Sequence, residues 1–443
     1  MIRQRVARRL YSWLMAALQP AYVLRLWWRG RAEPMYRHAI SERLGDYRGA
    51  PSAGWIWVHA VSLGETRAAA ALIDELRLLR PQMRLLLTHG TATGREAGSV
   101  LLQAGDEQAW LPYDTPTVVA RFFAQFQPAL GILMETEVWP NLLLAARESG
   151  VVMVLANARL SAKSRRQGQR LDVVMRPAAE SLALVLAQSE DDARRMRDSG
   201  AREVVVIGNL KYDMTPEPAL IALGRDWRKA LGRDVVLAAI FREGEEAMVL
   251  AEWLAQRVSQ GAEPASARPL LVIVPRHPQR FDEVAALVTA AGLTLMRRSA
   301  WGAALPPEAA EVDVWLGESM GEMPLYYGLA QVALLGGSFA PLGGHNLIEA
   351  AACGCPVVLG PHTFNFAEPA RLAIDAGAAT RVPDMATAVT EALALIASPR
   401  QGEVSENALA FAAEHRGAAQ RMAERIAGLL PAPSLRQASN ASL

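Results

Sequence analysis

Ten short apolar runs, separated by segments of helical period, constrain this chain more than any other feature. They lie at 55–61 (Trp-Ile-Trp-Val-His-Ala-Val), 84–88, 129–134, 151–156, 182–187 and 204–207, and then at 235–239, 270–274, 332–335 and 357–359. Successive strand residues point to opposite faces, so a continuous apolar run has both faces buried. Such runs divided by helices predict parallel sheets covered on both sides. Thr215-Pro-Glu-Pro-Ala219 interrupts the series and reads as a linker. The expected fold is α/β: two Rossmann-like, doubly wound domains at 33–214 and 215–430, facing a central cleft. A chain of 443 residues has room for two such domains. Residues 431–443, rich in Pro, Ser, Ala and Asn, are expected to form a disordered tail.

Lys and Arg number 46 and Asp and Glu 45, a net charge of +1 that offers no electrostatic ground for nucleic-acid binding. Cys353 and Cys355 are too close for a common disulfide and too few for a metal cage, so they read as packed small residues. The N-terminus departs from the average. Residues 1–32 carry Arg3, Arg5, Arg8, Arg9, Arg25, Arg29 and Arg31 and no acid before residue 33, with Trp13, Trp27 and Trp28 among them. Gln19, Pro20 and Arg25 interrupt the apolar stretch that a spanning helix needs. Rings and cations in this mixture suit a membrane interface. The expectation is membrane attachment, as an interfacial helix or short anchor, with the remainder on the cytoplasmic side. The competing reading is a soluble helix packed on the body.

In doubly wound sheets ligands lie beyond the carboxyl ends of the strands. Run 55–61 ends in Ser62-Leu63-Gly64-Glu65, with a helix expected from about Thr66. The helix dipole there favours ionised Glu65, a base at neutral pH. Run 129–134 ends in Glu135-Thr136-Glu137, two acids of which one is expected to face the ligand. Lys211 follows run 204–207. In the second half, Pro275-Arg276-His277-Pro278 fixes an Arg suited to phosphate or carboxylate. Gly336-Gly337-Ser338 and Gly343-Gly344-His345-Asn346 then feed a helical run, with Asn346 as cap, free backbone N–H groups for phosphate and Glu349 for a ribose. There is no G-x-G-x-x-G fingerprint and no Walker loop. A nucleotide held by the second domain and an acid base in the first is a glycosyltransferase arrangement.

Taken together, the motifs resemble the 3-deoxy-D-manno-octulosonic acid (Kdo) transferases of lipopolysaccharide synthesis. The resemblance runs from about Leu26 to about Glu368. It rests on His59-Ala-Val-Ser-Leu-Gly-Glu65, Leu111-Pro-Tyr-Asp114, Met134-Glu-Thr-Glu-Val-Trp-Pro-Asn141, Asn157-Ala-Arg-Leu-Ser161, Gly208-Asn-Leu-Lys211, Val274-Pro-Arg-His-Pro278, Met320-Gly-Glu322, Gly336-Gly-Ser338, Gly343-Gly-His-Asn346 and Gly360-Pro-His-Thr-Phe-Asn-Phe366. It implies a GT-B fold, an inverting mechanism, CMP-Kdo as donor, a lipid A precursor as acceptor, no metal and no cofactor, and the cytoplasmic face of the inner membrane. It implies Glu65 as general base, Glu135 and Lys211 as aids to the transition state, and Pro275, Arg276, Gly321, Glu322, Met323, Asn346, Leu347, Ile348 and Glu349 as CMP-Kdo contacts. One segment departs from the family: a Ser/Thr-rich, His-containing turn is replaced by Ala239-Ile-Phe-Arg-Glu-Gly-Glu-Glu246, with Arg242 at the His position. Two alternatives stand beside this reading: another GT-B nucleotide-sugar transferase or epimerase, and a non-catalytic membrane-surface scaffold of the same fold.

Overall fold

The structure, a computed structural model, describes residues 2–213, 215–260 and 265–430; the expected tail at 431–443 lies outside the described residues. The chain divides into two compact units. Met1–Asp213 and the segment from Gly417 form the first, and Met214–Arg416 the second.

The first unit is built on a seven-stranded, wholly parallel sheet. Its strands are β1 (Trp55–His59), β2 (Arg84–His89), β3 (Glu107–Trp110), β4 (Leu130–Met134), β5 (Val152–Ala158), β6 (Leu184–Ala187) and β7 (Val204–Val206), in the order β3-β2-β1-β4-β5-β6-β7. The second unit repeats the design with β8 (Val235–Phe241), β9 (Leu270–Pro275), β10 (Leu295–Arg297), β11 (Val314–Leu316), β12 (Val332–Leu335), β13 (Val357–Leu359) and β14 (Ala379–Arg381), in the order β10-β11-β9-β8-β12-β13-β14. All ten expected runs are strands. The four that sequence missed, β3, β10, β11 and β14, are three or four residues long and stand at or next to a sheet edge.

The continuous apolar runs have the predicted cause. In β1, Trp55 and Trp57 enter one core cluster with Phe122, Phe126 and Leu133, while Ile56 and Val58 enter another with Leu72, Leu85 and Ile132. Both faces are dry, so no polar alternation is tolerated.

The second face also receives the last described helix, Ala418–Ala427, through Ala418, Ala419, Met422, Ala423 and Ile426. Asp213 accepts the Gly417 and Ala419 N–H groups, and Arg421 donates to the Ile207 carbonyl at 2.9 Å. Sequence reading carried the second domain to residue 430. In the structure its compact unit ends at Arg416, because the apolar stripe of the last helix is buried on the first sheet.

The N-terminal helix Ile2–Arg29 packs on the first unit by a polar edge. Tyr11 donates to Asp114 at 2.8 Å, Ser12 to Asn141 at 3.1 Å, and Arg8 pairs with Glu148 at 3.0 Å. Leu26 is buried with Tyr36 and Ala92, whereas Leu10, Trp13, Leu14, Leu24 and Trp28 stay exposed. Among the described residues no helix is long and apolar enough to cross a membrane.

Candidate active site

In the first unit the site forms where β1 and β4, neighbours in the sheet, end. The helix after β1 starts at Leu63, three residues before the expected Thr66, because Ser62 caps it by accepting the Glu65 N–H. Glu65 returns the favour: Oε2 accepts the Val61 N–H at 2.9 Å and Oε1 the Ser62 hydroxyl at 3.0 Å. This reciprocal arrangement resembles a capping box and fixes both carboxylate oxygens. The helix dipole does not decide the charge. Burial dominates, and with Glu135 and Glu137 nearby it pushes Glu65 from an ordinary 4.5 up to about 7, against the hydrogen bonds that lower it. Its proton affinity is therefore higher than the helix dipole alone would give it, and near neutrality Glu65 lies close to its midpoint.

Glu135 follows β4 with φ 57, in the left-handed region where a side chain other than glycine is uncommon. Its N–H donates to the Ala156 carbonyl at 3.0 Å and its carbonyl accepts from Arg159 at 3.1 Å, so β5 holds the strained turn. Glu137, pushed upward by burial and then by Glu135, accepts the Trp139 indole N–H at 2.7 Å. Its Oε2 also lies 3.8 Å from His59 Nε2. That approach is no ion pair, because burial and then His89 depress His59 to about 3 and keep it neutral. His59 Nδ1 is engaged by Thr88, and Nε2 has no hydrogen-bond partner. Lys211 stands in the turn Leu210–Asp213 after the edge strand β7, held by Leu210 N–H donation to Asn157 Oδ1 at 3.1 Å. Three strands lie between β7 and β1, so in the sheet Lys211 is not a neighbour of Glu65.

In the second unit, cations gather at the strand ends. Arg242 follows β8 and Arg276 follows β9, with the Arg276 N–H donating to the Phe241 carbonyl at 2.8 Å. Burial first, then Arg276, Arg242 and His277, depress His345 to about 4. His277 is lowered by burial and by Arg242, Arg276 and Arg280. These four groups therefore feel one another, and His345 Nε2 has no hydrogen-bond partner. The departing segment shapes this place. Ile240 is left-handed at φ 58 where β8 slips register between Ala239 and Phe241. Gly336 passes so close that an added Cβ would lie 2.3 Å from the Ile240 carbonyl oxygen.

The remaining expected residues distribute unevenly. Asn346 Oδ1 accepts the Ile348 N–H at 3.1 Å, but the helix Ile348–Ala352 has only five residues, with Leu347 at its cap position. One turn of helix carries little dipole, so charge there rests on the side-chain cations. Leu347 and Ile348 are buried apolar residues and offer only backbone. Pro275 ends β9. Gly321 has φ 81, and the Glu322 carboxylate before the helix Met323–Leu329 is taken by Arg298 at 2.8 Å and by the Ser319 hydroxyl. Cys353 and Cys355 are buried, as expected. Sequence reading missed the role of Glu245, whose carboxylate accepts N–H groups of Arg242, Gly337, Phe339 and Ala340 at 2.7–3.1 Å. Its signal was a second Gly-Glu pair after a first strand.

A sequence model described as "3-Deoxy-D-manno-octulosonic-acid transferase (kdotransferase)" matches residues 38–214. The chain is 47% identical over 431 residues to a 3-deoxy-D-manno-octulosonic acid transferase of Bordetella pertussis, covering 95% of this chain and 99% of that one. A protein of the same description from Haemophilus influenzae is 33% identical over 426 residues, covering 94% and 97%. A solved glycosyltransferase of Rickettsia africae matches with a TM-score of 0.55 over 85% of this chain and 99% of that one, at 11% identity, a likeness of fold.

Proposed function

This chain belongs to the 3-deoxy-D-manno-octulosonic acid (Kdo) transferase family, and from that premise we propose how it moves Kdo from CMP-Kdo to a lipid A precursor. It is a glycosyltransferase of lipopolysaccharide synthesis. The acceptor is a hydroxyl group, a poor nucleophile at neutral pH. Glu65 takes its proton as the oxygen attacks the anomeric carbon of Kdo. The new C–O bond forms on the face opposite the departing phosphate, and CMP leaves with the electron pair of the bond it breaks. A base is most effective when its proton affinity matches the working pH, and such a base contributes about 10²–10⁴-fold. The observation that carries this assignment is Glu65 itself, held through both oxygens yet raised by burial to about 7.

Arg276, Arg242, His277 and His345 meet the phosphate of the donor, assisted by backbone N–H groups around Asn346. Arg242 thereby takes over from the family's hydroxyl-rich turn, and retention of the cation cluster supports a transferase over a scaffold. Glu135 holds its strained turn beside the base, and Lys211 answers negative charge on the sugar. No metal takes part in this scheme. The N-terminal helix lies on the cytoplasmic face of the inner membrane through its exposed Trp and Leu side chains, keeping the protein beside an acceptor that stays in the bilayer.

Purified protein, CMP-Kdo and a tetra-acylated lipid A precursor, with products weighed by mass spectrometry, test the reaction. Glu65→Gln retains CMP-Kdo binding and loses transfer; near-wild-type turnover removes the base assignment.

A further inference from the structure

We propose that a cavity on the first unit receives an acyl chain of the acceptor lipid, and that the basic helix Ala162–Gln169 at its lip binds the lipid's phosphate. The inference rests on the acceptor named above and adds where its hydrocarbon goes. The cavity has a volume of about 610 Å³ and lies among the helices Ala162–Gln169, Asp172–Ala179 and Glu190–Asp198. That size falls within the roughly 300–1,000 Å³ of small-molecule sites. Its walls include Val138, Leu160, Met175, Ala179, Leu182 and Met196. Ser164, Arg165, Asp172, Arg176 and Asp198 share the lining, so the cavity is two-sided: its apolar wall suits hydrocarbon and its charged wall a polar head.

The lip has the opposite character. Ala162–Gln169 buries none of its residues, and Lys163, Arg165, Arg166 and Arg170 lie in or just after it. Arg165 pairs with Asp198 at 3.2 Å. Among the described residues no acidic side chain lies within ion-pair distance of Lys163, Arg166 or Arg170. Asp172 and Asp198 are paired with Arg176 and Arg165, which leaves Lys163, Arg166 and Arg170 as the uncompensated charge beside the apolar wall, a match for an anionic amphiphile with its head on the rim and its chain inside. Two connections point to the acceptor. Thr136 and Val138 line the cavity and flank Glu137, which, like Glu135, raises the proton affinity of Glu65. The helix Asp172–Ala179 packs against the N-terminal helix, whose exposed apolar residues are the proposed membrane surface, and Leu171 and Val173 beside it are exposed as well.

Gly168 lines the cavity, and a Cβ added there meets nothing within 4 Å, so Gly168→Trp places a bulky ring at the cavity's lip without displacing backbone. Transfer is measured to a tetra-acylated acceptor and to its de-O-acylated form. Each methylene withdrawn from water is worth roughly a fourfold change in affinity. The wild-type protein is therefore expected to show a KM for the acylated acceptor lower by about tenfold or more. Gly168→Trp is expected to bring the two KM values together; an unchanged ratio overturns the acyl pocket. Met175→Gln, which makes the wall polar while keeping its length, provides the same readout should the first variant fail to fold. Arg166→Ser combined with Arg170→Ser raises KM more for a phosphorylated acceptor than for one lacking phosphate; equal effects overturn the head-group assignment. If the wild-type protein transfers to neither acceptor, the functional reading has failed. Equilibrium binding of the same tetra-acylated lipid then judges the pocket: weaker binding by Gly168→Trp supports it, and equal binding removes it.

Discussion

Glu65 and Glu245 hold the same station in two sheets of the same design. Each follows the first strand of its unit, β1 or β8, each strand is flanked by two others, and each Glu is preceded by glycine at a helix start. The outcomes differ because their donors differ. Glu245 is fully buried and accepts four backbone N–H groups, three of them from the loop 337–340. Its lone pairs are occupied, and its work is to join the β8 turn to that loop. Glu65 is half-buried and accepts one backbone N–H and one hydroxyl, with two further carboxylates nearby. Its charge is under-compensated, so it remains ready for a proton. A buried acid becomes scaffold or chemistry according to how many donors surround it.

The contrast is broken most directly at Glu65. Glu65→Gln is expected to lower kcat by about 10²–10⁴, with CMP-Kdo affinity retained in a calorimetric titration. The mirror change acts on stability. Glu245→Ala strands four backbone donors, those of Gly337 and Phe339 buried, and should cost on the order of 3–5 kcal/mol in urea unfolding. Glu65→Gln should move stability the other way. Its folded pKa, about 7, lies above the ordinary 4.5, so this side chain's favourable contribution is complete below pH 4.5 and is lost as pH rises through 7. The neutral Gln avoids that burial cost, so its effect on stability relative to wild type is expected to be more favourable at pH 8 than at pH 5. Destabilisation by both substitutions to a similar degree would break the comparison.

Smaller effects sharpen it. Arg242→Ala should raise the Kd for CMP-Kdo about tenfold, measured by isothermal titration, if that guanidinium meets the donor phosphate. Activity should climb with pH along an acid limb centred near 7, set by Glu65. Glu137→Gln removes a like charge and should shift that limb downward by less than about one pH unit. A limb that does not move would show that Glu137 has no part in the proton affinity of Glu65 and that burial and Glu135 raise it.

Much of this architecture was legible in the sequence. Ten continuous apolar runs announced two parallel sheets, since a strand dry on both faces has no reason to alternate. The outer strands stayed hidden because three residues, as in Leu295–Arg297, make no pattern. The helix Ala418–Ala427 reads as an ordinary amphipathic segment, and nothing local says that its stripe closes the first unit instead of the second.

The sequence by itself determined the fold class, the family and the placement of Glu65, Glu135, Arg242 and Arg276 at strand ends, because those depend on local pattern. Only the tertiary structure decided which Gly-Glu pair keeps a raised proton affinity and which is saturated with donors. Three of the four Glu245 donors come from positions 92 to 95 residues away, and the two carboxylates that join burial in raising Glu65 come from the end of β4. Burial and hydrogen-bond supply are properties of the assembled neighbourhood, and no short motif carries them.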